Sequence, residues 1–304
     1  MAELASAASP GEGWQARLEL RLEALRGRTR LVHCRHTGPL RVQRVFYPER
    51  LPSGAGAAVA ELQLDGGAAP AATEPCHIYV LHPPGGLVSG DTLQIEVQCH
   101  NRAHALLTTP AATKFYRRRG QHLARVTQTL HLHGGTLEWL PQESIYYPDS
   151  AAQLCTRVHL DATTRFIGWE LHCLGLPAIA AALGSGAVRA TLELWLSGRP
   201  LLLERLALGG ESLTARWGLA RFPAFGSCLA YPTGTMDLER VRGVAAGLNC
   251  AELILACTIV DGVLCCRGLA QRVDHLRQAF TTLWRTLRPA LLGREAIAPR
   301  IWAT

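Results

Sequence analysis

Hydrophobic and polar residues alternate with a period of two through most of the first two thirds of the chain. Leu18, Leu20 and Leu22 alternate with charged residues, and Leu93, Ile95, Val97 and Cys99 alternate with Gln94, Glu96 and Gln98. Leu130 and Leu132 pass through Gly134-Gly135 into Leu137 and Trp139. Leu192, Leu194 and Leu196 pass through Ser197-Gly198 into Leu201 to Leu208. Strands with one buried and one solvated face require this alternation, and Gly134-Gly135 and Ser197-Gly198 supply turns. Helical spacing is confined to the last quarter. Leu238 to Leu248 predicts a short helix, and Val273, Leu276, Phe280, Leu283 and Leu287 recur at three and four until Pro289 stops the helix. Between them, Leu253 to Val260 reads as a strand turned by Asp261-Gly262 into Val263 to Cys266. Residues 52–75, rich in Gly, Ala and Pro, read as a variable loop. The pattern predicts a mainly-β fold with a few helices toward the C-terminus and an amphipathic helical region over 267–289. No fixed repeat period is present, so sandwich and solenoid both stay open.

Composition narrows the class. The chain has 304 residues, 48% hydrophobic and 18% charged, enough to build a sizeable core. Its best uncharged stretch, Leu171 to Val188, is broken by Pro177, Gly184 and Gly186 and carries His172, which disqualifies it as a membrane helix. Met1 to Gln15 lacks the basic and apolar regions of an export signal, so a soluble, cytoplasmic protein is expected. The ten cysteines form no C-x-x-C and read as small packing groups in a reducing compartment. Net charge is +7, and Lys114 is the only lysine among 31 cations. Basic runs are short, Arg117-Arg118-Arg119 being the longest, which favours a charged face for an acidic protein partner over nucleic-acid binding.

Catalytic signatures are missing: no G-x-S-x-G, H-E-x-x-H, Walker loop or G-x-G-x-x-G occurs. His131 and His133 share one strand face and could share a metal, but no third ligand is nearby in sequence. Four motifs remain. His82-Pro83-Pro84-Gly85-Gly86-Leu87-Val88-Ser89-Gly90-Asp91 fixes an irregular backbone between a histidine and a carboxylate; a tight corner capped by Asp91 is the simpler structural account. Thr108 to Arg117 is hydroxyl-rich and includes Thr109, Lys114 and Tyr116. Leu137 to Ile145 sets Glu138 and Glu143 beside Trp139 and Gln142, and Phe166-Ile167-Gly168-Trp169-Glu170 puts Glu170 in an apolar strand. A buried Glu170 would need a partner or a wet channel.

Taken in this order, the four motifs resemble the urease accessory protein UreD (UreH) family, and the ending Pro299-Arg300-Ile301-Trp302-Ala303-Thr304 resembles it too. The likeness runs from about Leu18 to the C-terminus. It implies one domain over 1–304, a β-helical solenoid with a few helices, and no catalytic activity. It also implies a complex with UreF and the GTPase UreG, docked on the urease structural subunits during nickel insertion, with nickel as passing cargo and no stoichiometric cofactor. A nickel path needs borderline ligands that hold the ion too weakly to trap it; Asp91, Glu138, Glu143 and Glu170 are the candidates. His82, Gly85, Gly86, Thr109, Lys114, Tyr116, Trp139 and Gln142 are assigned to partner contact or to holding the motifs in shape. One departure stands out: Leu174-Gly175-Leu176-Pro177-Ala178 runs on to Ile179-Ala180-Ala181-Ala182 without the glutamate that relatives carry there. Competing readings are a passive adaptor with no nickel path, and a β-rich metal-dependent hydrolase using His131, His133 and Glu138.

Overall fold

Alternating segments become strands because each sends its apolar side chains to one side and pairs its backbone with a neighbour. The computed structural model describes residues 13–49, 73–234 and 236–303. The expected variable loop at 52–75 lies outside them except for its last three residues. In chain order the strands are β1 (Gln15–Leu25), β2 (Arg28–Thr37), β3 (Arg41–Val42), β4 (Cys76–Leu81), β5 (Gly86–Leu87) and β6 (Thr92–His100). Then come β7 (His104–Thr108), β8 (Thr113–Phe115), β9 (Ala124–His133), β10 (Thr136–Trp139), β11 (Ser144–Tyr146) and β12 (Ala151–Leu160). The last six are β13 (Arg165–Leu174), β14 (Ala187–Leu196), β15 (Arg199–Leu208), β16 (Ala224–Tyr231), β17 (Leu253–Val260) and β18 (Val263–Ala270). Among the described residues two α-helices join them, α1 (Leu238–Leu248) and α2 (Val273–Leu292).

One sheet runs β15-β14-β12-β9-β6-β1-β2. The second runs β17-β18-β16-β13-β10-β7-β4-β3, with β11, β8 and β5 paired beside it. Neighbours in the middle of each sheet are parallel: β1, β6, β9, β12 and β14 in the first, β4, β7, β10 and β13 in the second, and β5, β8 and β11 in the short ladder. Stacking is in register, so that Leu93, Val126, Leu154 and Ala190 form one row. At the margins the chain turns back in antiparallel hairpins. Ser197-Gly198 and Asp261-Gly262 make two of these turns, with positive φ at all four positions (49°, 82°, 47° and 76°), the backbone that two-residue hairpins of matching twist demand.

Two cores follow from the alternation. Leu18, Leu20, Ile95, Val126, Leu130, Leu137, Trp139 and Phe166 meet between the sheets. Leu106, Ile167, Trp169, Cys228, Leu255 and Cys266, on the other face of the second sheet, pack against Val241, Phe280, Leu283 and Trp284 of the helices. Strand β13 is therefore buried on both faces, with Glu170 and His172 on the side toward the first sheet. No helix of the described residues is long and apolar enough to cross a membrane.

Two boundaries differ from expectation. Residues 267–270 belong to β18, so the helical region begins at Val273. Pro289 lies inside α2, which ends at Gly293 (φ 63°). A proline in the last turn forfeits one donor while its carbonyl still accepts, here from the Gly293 N–H at 3.0 Å, and Leu291 and Leu292 still pack against the helical core.

Candidate functional site

The four motifs converge on one cavity of about 150 Å³ between the sheets. His82 and Gly85 come from the first motif, Thr109 and Lys114 from the second, Trp139 and Gln142 from the third and Glu170 from the fourth. Parallel pairing of β5, β8 and β11 brings the loops that precede these short strands to one end of the stack. Gln142 is fixed twice, its N–H donating to Thr109 Oγ1 (2.9 Å) and its Oε1 accepting from Arg277 of α2 (2.7 Å). Burial holds the His82 imidazole below its ordinary pKa, against the pull of Asp91. Trp139 Nε1–H is buried with no protein acceptor, a donor that water in the cavity would satisfy.

Glu170 marks the inner end. It is 6% exposed. The Thr156 hydroxyl bridges its Oε1 and the side-chain amide of Gln128 (2.8 Å), and His172 Nε2 lies 3.4 Å from its Oε2. The His172 ring is set by Tyr146 Oη at 3.0 Å from Nδ1 and by stacking on Phe225 at 4.5 Å. Glu170 and His172 also line a second void of about 10 Å³, room for about one water, together with Glu204 and Ser227. There the Ser227 hydroxyl donates to Glu204 Oε1 (2.8 Å), and Arg267, half in solvent, donates to Oε2 (2.7 Å). Polar groups thus continue from the motif loops past Glu170 to the protein surface at Arg267.

The other three carboxylates are placed elsewhere. Asp91 Oδ1 accepts the Trp14 N–H (2.8 Å) and Oδ2 the Val88 N–H (2.7 Å), so its side chain caps the glycine-rich corner. Glu138 faces the helices, on the opposite side of β10 from Trp139, and is fully buried. Its oxygens accept from Trp284 Nε1 (2.6 Å) and Arg288 Nε (2.9 and 3.1 Å), and His104 Nε2 lies 2.8 Å away. Arg288 also donates to Glu49 (2.6 Å), which pairs with His77 (2.8 Å), and to the carbonyl of Glu295. Burial works against ionising Glu138, but His104 and Arg288 win and hold its pKa below the ordinary value. Glu143 keeps one buried oxygen without a hydrogen-bond partner, outside the cavity wall. Glu138 therefore serves as the anchor of a buried ionic network, and Asp91 as a cap. Of the four acids assigned to a nickel path, Glu170 alone lines the cavity.

Gly86 and Tyr116 also lie away from it. A Cβ on Gly86 would sit 2.4 Å from the Tyr116 ring, so the glycine is there to let that ring lie flat against the turn. His131 and His133 project from the outer face of the first sheet, where His131 stacks on His159 (4.8 Å) and His133 on His100 (4.7 Å). Glu138 lies beyond the second sheet, so the trio of the hydrolase reading does not assemble. Among the described residues, no three His, Cys, Asp or Glu side chains are gathered to hold a metal ion. Eight of the ten cysteines are buried and none is bridged. Burial pushes Cys99 up to about 12 and Cys173 up to about 11, which keeps both as neutral thiols.

Sequence reasoning missed His172, Glu204 and Ser227 along the polar track, and Glu49, His77 and Arg288 in the network. One signal was present: Arg288 follows Trp284 by one helical turn on an apolar face, where a cation must find buried anions.

The family model for UreD urease accessory protein matches residues 15–303. Urease accessory protein UreD of Alcanivorax borkumensis is 39% identical over 299 residues, covering 96% of this chain and 93% of that protein. The Klebsiella aerogenes protein of the same name is 38% identical over 294 residues (96% and 98%), and that of Pseudomonas putida strain W619 is 40% identical over 305 residues (100% and 99%). The chain belongs to the UreD urease accessory protein family.

Proposed function

We propose that this chain serves urease maturation by docking, with UreF and UreG, on the urease structural subunits and carrying nickel through its interior toward the urease active site. It is an accessory protein, as its relatives are, and not an enzyme. The observation that carries the reading is the convergence of four motifs on a cavity whose inner end is Glu170. Nickel accepts carboxylate, imidazole and hydroxyl ligands, and Glu170, His172 and Thr156 offer one of each. Two ionisable ligands, completed by water, hold such an ion loosely enough to release it, which is what a path needs and a storage site does not. Nickel is therefore cargo rather than a resident cofactor. Asp91 and Glu138 support the walls, and Glu143, between the lining residues Gln142 and Ser144, keeps its free buried oxygen outside the cavity. The in-register parallel stacks support reading the strands as a β-helical solenoid, with the path between its sheets. Ten unbridged cysteines fit a cytoplasmic site of action.

The test is omission. Urease produced without this chain should assemble but remain inactive and nickel-poor, and UreF and UreG should no longer co-isolate with it. Normal activation at ordinary nickel concentrations would refute the maturation role.

A further inference from the structure

Two motifs reach the surface at a place the nickel path does not use. Beyond the far ends of β5, β8 and β11, an open bowl of about 620 Å³ is walled by Val88, Tyr116 and Tyr147 and rimmed by Arg117, Arg119 and His122. The short-strand ladder separates it from the cavity: the loops before these strands line the cavity, and the residues after them line the bowl. From the geometry we infer that this bowl is a docking site for an acidic segment of a partner protein, one that carries an aromatic or aliphatic side chain among its carboxylates.

Charge and shape both point that way. The Arg117 side chain is 77% exposed and meets Asp149 at 3.2 Å, while the other oxygen of Asp149 is occupied by the Ser185 N–H (3.0 Å) and hydroxyl (2.9 Å). The Arg119 backbone is tied down, its N–H donating to Ser89 Oγ at 2.7 Å, yet its guanidinium pairs with no acid among the described residues. Its base is fixed and its fork is free, the arrangement that suits bidentate capture of a carboxylate. Between the cations, Val88 (48% exposed) and Tyr116 (38% exposed) offer a large apolar floor that a small anion would leave wet. Tyr116 and Tyr147 pack edge to face, 5.1 Å apart and inclined at 63°, so they present no parallel platform for stacked bases. Fixed ring positions follow from Gly86, which admits the Tyr116 ring where any side chain would clash.

The experiment uses the full chain and a fluorescein-labelled twelve-residue peptide of Glu interspersed with Tyr and Leu, followed by fluorescence anisotropy. Arg117→Ala with Arg119→Ala should weaken binding at least tenfold, Lys at both positions should restore part of it, and Val88→Asp should weaken it by a similar factor through lost apolar contact and repulsion. Near-UV circular dichroism checks that each variant keeps its packing. Ten millimolar inorganic phosphate should leave the peptide bound, and a single-stranded oligonucleotide of equal length should bind more weakly. Absence of peptide binding, an unchanged affinity in the double Ala variant, displacement by phosphate, or an oligonucleotide bound as tightly would each overturn the inference. None of these outcomes bears on nickel transit, so failure here leaves that reading to its own test.

Discussion

Glu138 has its hydrogen-bonding capacity spent inside the fold, with three groups from two elements aimed at one carboxylate. Removing it leaves the buried Arg288 cation with Glu49 as its remaining anion and frees the bonds from His104 and Trp284, and breaking a buried pair from one side costs about 3–5 kcal/mol. Glu138→Ala should therefore lower the unfolding free energy from urea titration by about that amount, while Glu170→Ala, whose carboxylate lies beside a cavity, should lower it far less; equal losses would contradict the assignment of roles. Glu49 extends the same network and gives it a pH signature. Burial opposes its ionisation, but the hydrogen bonds from His77 and Arg288 hold its pKa at about 2, below the ordinary 4.5. A lowered folded pKa stabilises the fold fully above 4.5, and that stability is lost as pH falls toward 2. The loss is on the order of 3 kcal/mol. Urea titrations across pH 5 to 2 should show this decline in the wild-type chain and a flatter curve in Glu49→Gln. Parallel curves would remove Glu49 from the network.

At the scale of elements, local pattern carried most of the information. The alternating runs around Leu93 and Leu192 became β6 and β14, the spacing around Phe280 became α2, and Ser197-Gly198 made its hairpin. Pairing was not legible. Leu132 and Leu137 flank a glycine pair that suggests a hairpin, yet β9 and β10 enter different sheets, because Gly134 (φ 67°) and the close packing of Gly135 on Cys99 swing the chain across the core. The stacked row Leu93, Val126, Leu154 and Ala190 is unevenly spaced in sequence, since each crossing carries its own loop. No fixed period could survive that. The end of α2 was misplaced because a proline in a final turn loses little when Gly293 closes the helix behind it.

For the whole molecule, the candidate site was legible where motif residues face one another across the stack. His82, Gly85, Thr109, Lys114, Trp139, Gln142 and Glu170 line the cavity, a set drawn from four separated segments. What stayed hidden was the direction of each side chain. Glu138 and Trp139 are adjacent and point to opposite faces of β10, so a motif that names both cannot say which meets the cavity. The onward track through His172 and Glu204 was hidden for the same reason, since it depends on the register of β13, β16 and the first sheet. The most direct test is the nickel content of urease matured with Glu170→Ala in place of the wild-type chain, measured per active site after confirming that urease, UreF and UreG co-isolate with the variant in normal amounts. Intact complexes and urease several-fold poorer in nickel are the expected result. Intact complexes with full nickel loading would contradict transit past Glu170 and leave the chain as a passive adaptor.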